Sequence, residues 1–425
     1  MTTPDRVTSQ QYDKPYRPWP IALLNALGAG LKKLGVEPVS LSEESLIAAA
    51  RKQTGLHSFG VGEDGEDSFR VPMRILLASI EAEARLNTLG RMIMRKRLVG
   101  TLVNRLRAQE LFDLHPEILA QELAPPVVII GLPRTGTTLL HRLLSSDPEN
   151  RFLTSWEAGN PIPDRKAADG GRAKRIRYAE VAERGLAYIA PDFFAVHPVE
   201  AQAPEEEVLL LDYAFMSTVA ESTLRVPSYS AWVEKQDNTP AYEYMKKLLK
   251  ILQWERPGKR WVLKTPHHQE YIDTLLKVFP DAKIIHTHRD PNKTIPSFCS
   301  MTAHGYGVFS DEVDPLEVGR ERCRRLIYQT KITMDFRQRR GDDQFIDVSY
   351  YDMVTDPMKQ IRRIYDFIGA PLTPEAEKCM LDWQKSNKQG KHGKHRYRLE
   401  DFGLSKESLE AELADYRERF DVPHE

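Results

Sequence analysis

"VVIIGLPRTGTTLLHRLL", residues 127–144, decides the fold. Its first four residues form a β-branched run with no polar alternation, which suits a strand buried on both faces of a parallel sheet. A glycine-bounded turn follows, then an apolar helical pattern that stops at Asp147-Pro148. Strand, glycine turn and helix in that order frame a phosphate-binding loop, because the turn aims free N–H groups and the positive end of a helix at one spot. The Walker pattern reads Gly, four residues, Gly, Lys, then Ser or Thr. Gly131, Gly136 and Thr138 fall in place, but Thr137 stands where the lysine belongs. The cation is displaced to Arg134, inside the turn. Gly136 lets the backbone approach an anion closely, and the Thr137 and Thr138 hydroxyls add donors.

Further along the chain, short apolar runs recur at "RWVLK" (260–264), "AKIIHTH" (282–288) and "QFIDVSY" (344–350), with helical patterns such as "PHHQEYIDTLLKVF" and "DPMKQIRRIYDFIG" between and after them. Strand–helix alternation predicts an α/β fold, a P-loop-like parallel sheet flanked by helices, occupying residues 123–425. Residues 1–122 read as a helical N-terminal region. There, "SEESLIAAARKQ" offers Ser42 as an N-cap, and "PMRILLASIEAEARLNTLGRMIMRKRLVGTLVNRLRAQELF" keeps helical spacing over several turns. "TGLHSFGVGEDGEDSFR" between them reads as a loop. Ligands of open parallel sheets sit at the carboxyl ends of the strands, so those ends are where chemistry is expected.

The 425 residues carry a net charge of −1, which gives no global case for nucleic acid or an anionic surface and makes any basic site a local one. Three widely spaced cysteines form neither a disulfide framework nor a zinc motif. The polar N-terminus is no secretory signal, and "WPIALLNALGAGL", followed at once by two lysines, is too short to span a bilayer. The expectation is a cytoplasmic protein without a transmembrane segment; a homo-oligomer is compatible with it.

Two further cationic pieces stand out. "HTHRDPNKTIPSF" (286–298) ends a strand with Arg289, offers Asp290 as a cap and Pro291 as a first helical residue, and places Ser297 eight residues after the arginine. Pro296 removes a helical hydrogen bond, so that helix is expected to kink or to begin late. "NKQGKHGKHRYR" (387–398) is a basic, glycine-containing stretch that reads either as a solvated loop or as a clamp over an anion, with Lys391, Gly393, Lys394 and Arg396 at its centre. Three local cationic sites in a neutral chain imply one ligand with separated phosphates.

In combination these residues resemble the sulfotransferases that use 3′-phosphoadenosine 5′-phosphosulfate (PAPS), and in particular a bacterial-type branch with a helical N-terminal region. The likeness runs over roughly residues 45–420 and is carried by "AARKQTGLHSFG", "GLPRTGTTLLHRLLSSDPENRFLTSWEA", "WVLKTPHHQEYIDTLLKVFPDAKIIHTHRDP", "YYDMVTDP" and "HGKHRYRLEDFGL" in that order. The resemblance implies that "PRTGTT" (Arg134, Thr135, Gly136, Thr137, Thr138) holds the 5′-phosphosulfate and that Arg289 and Ser297 hold the 3′-phosphate. It further implies that the 391–397 loop covers the nucleotide and that Lys264 stands near the transferring group. PAPS is then the co-substrate, PAP the product, and no metal is required.

Sulfuryl transfer is close in kind to phosphoryl transfer, so catalysis rests on positioning and charge stabilisation, plus a base for the acceptor hydroxyl. Glu157 is the first candidate for that base, followed by His267 (with its neighbour His268) and His197. Glu157 reads equally as a cap or a salt-bridge partner, and Thr265-Pro266 places His267 in a helical first turn for purely structural reasons. Aromatic residues and methionines across residues 186–235 leave room for an apolar acceptor pocket, for a small molecule, a lipid or a glycan alcohol. "APEEEVLLL" reads as a helix start with acids in its first turn. Two other readings compete: a P-loop kinase or nucleoside triphosphatase, and a nucleotide-binding protein without catalysis. Thr137 in the lysine position counts against the first.

Overall fold

The computed structural model describes residue 8 and residues 10–60, 66–387 and 395–425. Its centre is a five-stranded sheet, ordered β2-β3-β1-β4-β5, in which every neighbouring pair is parallel. The strands are β1 (Val127–Gly131), β2 (Asn150–Phe152), β3 (Arg260–Lys264), β4 (Lys283–His288) and β5 (Phe345–Ser349). All of β1 is buried, as its unbroken apolar run requires. Register pairs Ile129 with Lys264 and Gly131 with Thr287, so the carboxyl ends of β1, β3 and β4 finish side by side. Strand order reverses at β1, and the crevice beside it is where such sheets take ligands.

Alternate residues of the strands feed two apolar layers. Val127, Ile129, Val262 and Ile285 pack with the Thr137–Leu144 helix and the helices Pro357–Phe367 and Pro374–Ser386. Val128, Ile130, Leu263 and Ile284 face the other way, into a core shared with the N-terminal helices and the Thr239–Glu255 helix. The N-terminal helices are α1 (Trp19–Lys33), α2 (Glu43–Thr54), α3 (Glu66–Glu83) and α4 (Thr88–Leu114), of which α2, α3 and α4 contribute to this core. Ser42 caps α2, its Oγ accepting from Ser45 N at 3.3 Å. The long periodic stretch behind α3 and α4 is divided at Arg85, which takes a φ of 48°, and at Asn87, whose side chain caps α4. The acidic end of the expected 54–70 loop is helical, since α3 starts at Glu66. Among the described residues no helix is long and apolar enough to cross a membrane.

A third apolar cluster joins Leu132 to the helices Pro291–Phe309, Pro315–Arg340 and Lys406–Phe420. The first of these begins at Pro291 and runs through Pro296, so the expected late start does not occur. Asp290 caps it by accepting from Asn292 N at 2.8 Å. β2 has no counterpart in the sequence reading, because three partly polar residues at a sheet edge carry no apolar run.

Candidate active site

The turn after β1 is built to hold an anion. Gly131 has a φ of 143°, and a Cβ there would stand 2.3 Å from Thr287 Oγ1, so the turn lies against β4 only because the residue is glycine. Gly136 takes a φ of 88° as N-cap of the Thr137–Leu144 helix and has no side chain with which to cap it. A Cβ on Gly136 would stand 3.1 Å from the Tyr350 ring, filling the same space. The first N–H groups of this helix are therefore left for a ligand. Arg134 itself adopts a φ of 72°, and its Nη1 donates to Val196 O at 3.3 Å. Burial holds this guanidinium below its ordinary pKa, with Arg289 adding to the effect; the groups acting against it are the tyrosines 397 and 350, and no carboxylate is among them. Thr138 is exposed beside it and Thr137 is buried. The Thr135 hydroxyl is spent internally: it donates to Leu132 O at 2.7 Å and lies 2.6 Å from Thr287 Oγ1. Thr135 thus braces the turn against β4, and only its backbone N–H remains to meet an anion.

At the end of β3, Lys264 is buried and its Nζ is paired with Glu206. Its backbone N–H donates to Glu207 Oε2 at 2.7 Å, and Glu207 Oε1 lies 2.6 Å from His268 Nε2. His268 Nδ1 in turn lies 2.6 Å from Tyr242 OH. This buried chain fixes the lysine-bearing strand end. His197 closes the adjacent Pro191–Val196 helix, the carbonyl of which touches Arg134. Burial lowers the His197 pKa; Glu205 and Glu206 oppose the shift, while Lys264 and Arg134 reinforce it. His197, Arg134, Lys264 and Glu206 accordingly share one electrostatic neighbourhood.

Beyond β4, Arg289 lies with its guanidinium 3.9 Å from the Tyr350 ring centroid, donating through Nη1 to Arg134 O at 3.2 Å. Its Nε and Nη2 donate to the two carboxylate oxygens of Glu425 at 2.7 and 3.1 Å, and Tyr351 OH donates to the same carboxylate at 2.9 Å. Ser297 is buried, with Oγ 3.4 Å from His395 Nδ1. His395 Nε2 lies 2.9 Å from Ser300 Oγ, and burial, then Arg134 and His304, push its pKa down to about 3. His395, held neutral, is therefore close enough to Arg134 to feel its charge, as is Tyr397. Lys391, Gly393 and Lys394 fall outside the described residues; Arg396 is exposed, with its N–H donating to Thr8 Oγ1 at 3.1 Å.

Two of the expected bases are placed differently. Glu157 is 1% exposed and completes a capping box with Thr154, from which Oε2 accepts at 3.0 Å (N) and 2.9 Å (Oγ1). Arg151 holds both of its oxygens, at 2.6 and 3.1 Å, and Arg256 stands 3.6 Å away. Both oxygens are held inside the protein, Oε2 by three hydrogen bonds and Oε1 by one, so Glu157 fastens the turn after β2. His267 is buried with its ring 4.6 Å from that of Tyr271, and Thr218 Oγ1 lies 3.2 Å from its Nδ1. Burial, then His268 and Arg325, hold its pKa well below that of a free imidazole, and its Nε2 is buried with no hydrogen-bond partner among the described residues. Glu206, Glu207 and His395 are what the sequence reading missed. The signal for the first two was three consecutive acids, but spacing alone could not say that they reach back to a strand-end lysine rather than serve a helix start.

His286, His288 and Asp347 bring potential ligand atoms within 4.8 Å of one another. Arg337 already occupies that position, donating to both Asp347 oxygens at 2.6 and 2.8 Å and lying 3.1 Å from His286 Nδ1. Burial alone would raise Asp347, yet Arg337 and His288 hold it far below the carboxylate range. The guanidinium does the work a bound cation would do.

Comparison with known proteins places this geometry in context. A profile described as "Sulfotransferase family" matches residues 125–374. The crystal structure of sulfotransferase STF1 from Mycobacterium tuberculosis is 30% identical, with a TM-score of 0.77, covering 88% of this chain and 98% of that one. Sulfotransferase STF9 from Mycobacterium avium is 29% identical, with a TM-score of 0.80, covering 90% of this chain and 98% of that one. Omega-hydroxy-beta-dihydromenaquinone-9 sulfotransferase Stf3 of Mycobacterium bovis is 28% identical over 253 residues, which is 58% of this chain and 63% of the relative's own length.

Proposed function

Because the chain belongs to the sulfotransferase family, we propose that it moves the sulfuryl group of PAPS to a hydroxyl of an apolar, lipid-like acceptor. One observation carries the reading: a half-buried Arg134, with no carboxylate pairing it among the described residues, stands at the mouth of an uncapped helix. A buried cation without an anionic partner is costly unless a ligand supplies one. The residues fit PAPS in two places. Gly136, Arg134, Thr137 and Thr138 would hold the 5′-phosphosulfate, and Arg289 with Ser297 would hold the 3′-phosphate. When bound, PAPS supplies an activated sulfuryl group on a phosphate leaving group.

The chain's own groups do the rest. Lys264 contributes positive charge at the end of β3, and Glu206 keeps it extended there. His197 takes the acceptor's proton: its lowered pKa leaves the imidazole neutral near pH 7 and able to accept one. The acceptor lies in a cavity of about 260 Å³ whose walls include Tyr12, Tyr16, Phe193 and His304. Phe193 is also the ring neighbour of His197, at 5.8 Å between centroids, so the cavity abuts the base. An aromatic wall suits an apolar tail, and the relative named for a menaquinone hydroxyl supports that class of acceptor.

A nucleoside triphosphatase would need a carboxylate for magnesium near the turn. The carboxylate at the end of β3, Glu206, is already paired with Lys264, and the residue after β4 is Arg289. Calorimetry with PAP, ADP and magnesium-ATP, followed by transfer from labelled PAPS to lipid alcohols, tests the proposal. PAP is expected to bind tightest, Arg289→Ala to abolish that preference, and Arg134→Ala to weaken every one of these nucleotides. Tighter binding of magnesium-ATP than of PAP overturns the reading, and PAP binding without transfer to any alcohol leaves only a nucleotide-binding protein.

A further inference from the structure

α1 is amphipathic in the wrong sense for a helix of a water-soluble surface. Such helices turn their apolar stripe toward the core. Here Trp19, Leu23, Leu27, Leu31 and Leu34 are 77, 53, 62, 41 and 80% exposed, spaced to fall on one face. What α1 buries is its small and polar side. Asn25 Oδ1 accepts from Leu89 N at 3.1 Å, and Gly28 lies so close to Thr88 that a Cβ would collide with its hydroxyl. The helix is thus anchored to α4 by a polar contact and a glycine notch, which leaves its hydrophobic face outward.

Charge says what that face meets. From Lys14 to Val36 the sequence carries Lys14, Arg17, Lys32 and Lys33 and no acid. Arg17 is tied to Asp311 at 2.8 Å, while the lysines at either end of the stripe are exposed. A second copy laid along this face would bring like charges together, whereas an anionic lipid surface would neutralise them. Leucines and a tryptophan on one side, with lysines at the margins, are what an interfacial helix uses.

We propose that α1 is a docking helix that lies in the plane of an anionic lipid surface, with Trp19, Leu23, Leu27 and Leu31 immersed among the acyl chains. The segment just before it, Tyr12 to Arg17, forms one wall of the 260 Å³ cavity. Docking by α1 brings that cavity to the lipid surface, where a membrane-dissolved alcohol can enter without crossing water. The docking itself does not depend on the sulfuryl-transfer reading.

Flotation with lipid vesicles tests it, using the full chain without nucleotide. Wild type is expected to float with phosphatidylglycerol vesicles, at least tenfold more than with phosphatidylcholine, and to release as salt rises. Leu23→Glu with Leu27→Glu should lose flotation at least tenfold while circular dichroism and PAP binding stay unchanged, since neither residue packs on the core. Lys32→Glu with Lys33→Glu should lose only the preference for anionic lipid. Wild type that fails to float, or a double-glutamate variant that floats as well as wild type, overturns the proposal. A concentration-dependent dimer in sedimentation, dispersed by Leu27→Glu and indifferent to vesicles, would overturn it in favour of a second copy.

Discussion

In the proposed reaction His197 and Glu206 divide a labour that a single side chain could not perform. A base must be neutral and accessible, and a strand-end lysine must be kept from folding back. His197→Ala should lower kcat by roughly 10²–10⁴ while PAP affinity, read by calorimetry, changes little. Glu206→Gln should weaken the hold on Lys264 and lower kcat less; if it instead abolishes turnover while His197→Ala does not, Glu206 is the base. Arg134 stands out in the sequence by its place in the glycine-bounded loop and Arg289 by its place after a strand, whereas the roles expected of Lys264 and Ser297 rest on the family resemblance. For Glu157 the sequence left the base and the cap or salt-bridge readings open, for a physical reason. A glutamate three residues after a threonine makes a capping box, and the buried Arg151 that seals its fate lies on a strand too short to notice.

At the level of elements, β1, β3 and β4 were readable because a strand buried on both faces leaves an apolar run, and β5, buried only at Phe345 and Val348, was readable from its place in the strand–helix alternation. Close approaches between helices were not, since they depend on single glycines. Gly319, in the Pro315–Arg340 helix, lies where a Cβ would stand 2.0 Å from Phe402 O. That carbonyl is backbone and cannot step aside. Gly319→Ala should therefore cost about 1–3 kcal/mol in a urea titration, as overpacking does. Gly185, in the Arg172–Ile189 helix, faces nothing within 4 Å. Gly185→Ala should gain about 0.5–1 kcal/mol from helix propensity alone, which separates the clash from the substitution itself.

Across the whole molecule, a buried charge cluster joins segments distant in sequence. Arg325 reaches Glu221 at 3.5 Å and Glu270 at 2.9 Å and also pairs with Glu234; Arg322 lies 3.3 Å from Glu221. Burial pushes both acids upward, but Arg322 and Arg325 hold Glu221 down at about 2, while Glu270 is left at about 7. The signs are opposite. Glu221 stabilises the fold above the ordinary carboxylate pKa and loses that contribution as pH falls toward 2. Glu270 contributes fully below about 4.3, and its share drains away as pH rises through 7. From pH 4.5 to 7 that share is up to about 3 kcal/mol. The buried histidines His197, His267 and His395, held below their ordinary pKa, act in the opposite sense over the same range, so denaturant midpoints should rise more steeply with pH in Glu270→Gln than in wild type. None of this network could be read from the sequence, because its acids and arginines look like ordinary helix-surface charges until the fold buries them together.

The carboxylate of Glu425 already sits on Arg289. An anion delivered by the chain itself has a high effective concentration, on the order of millimolar for a short tether. Any nucleotide that needs this arginine must evict a resident counter-charge, whereas one lacking a 3′-phosphate has no such debt. Replacing the glutamate with glutamine should tighten PAP by about tenfold and leave adenosine 5′-phosphate untouched. The protein's selectivity for its nucleotide is then set partly by what it must let go.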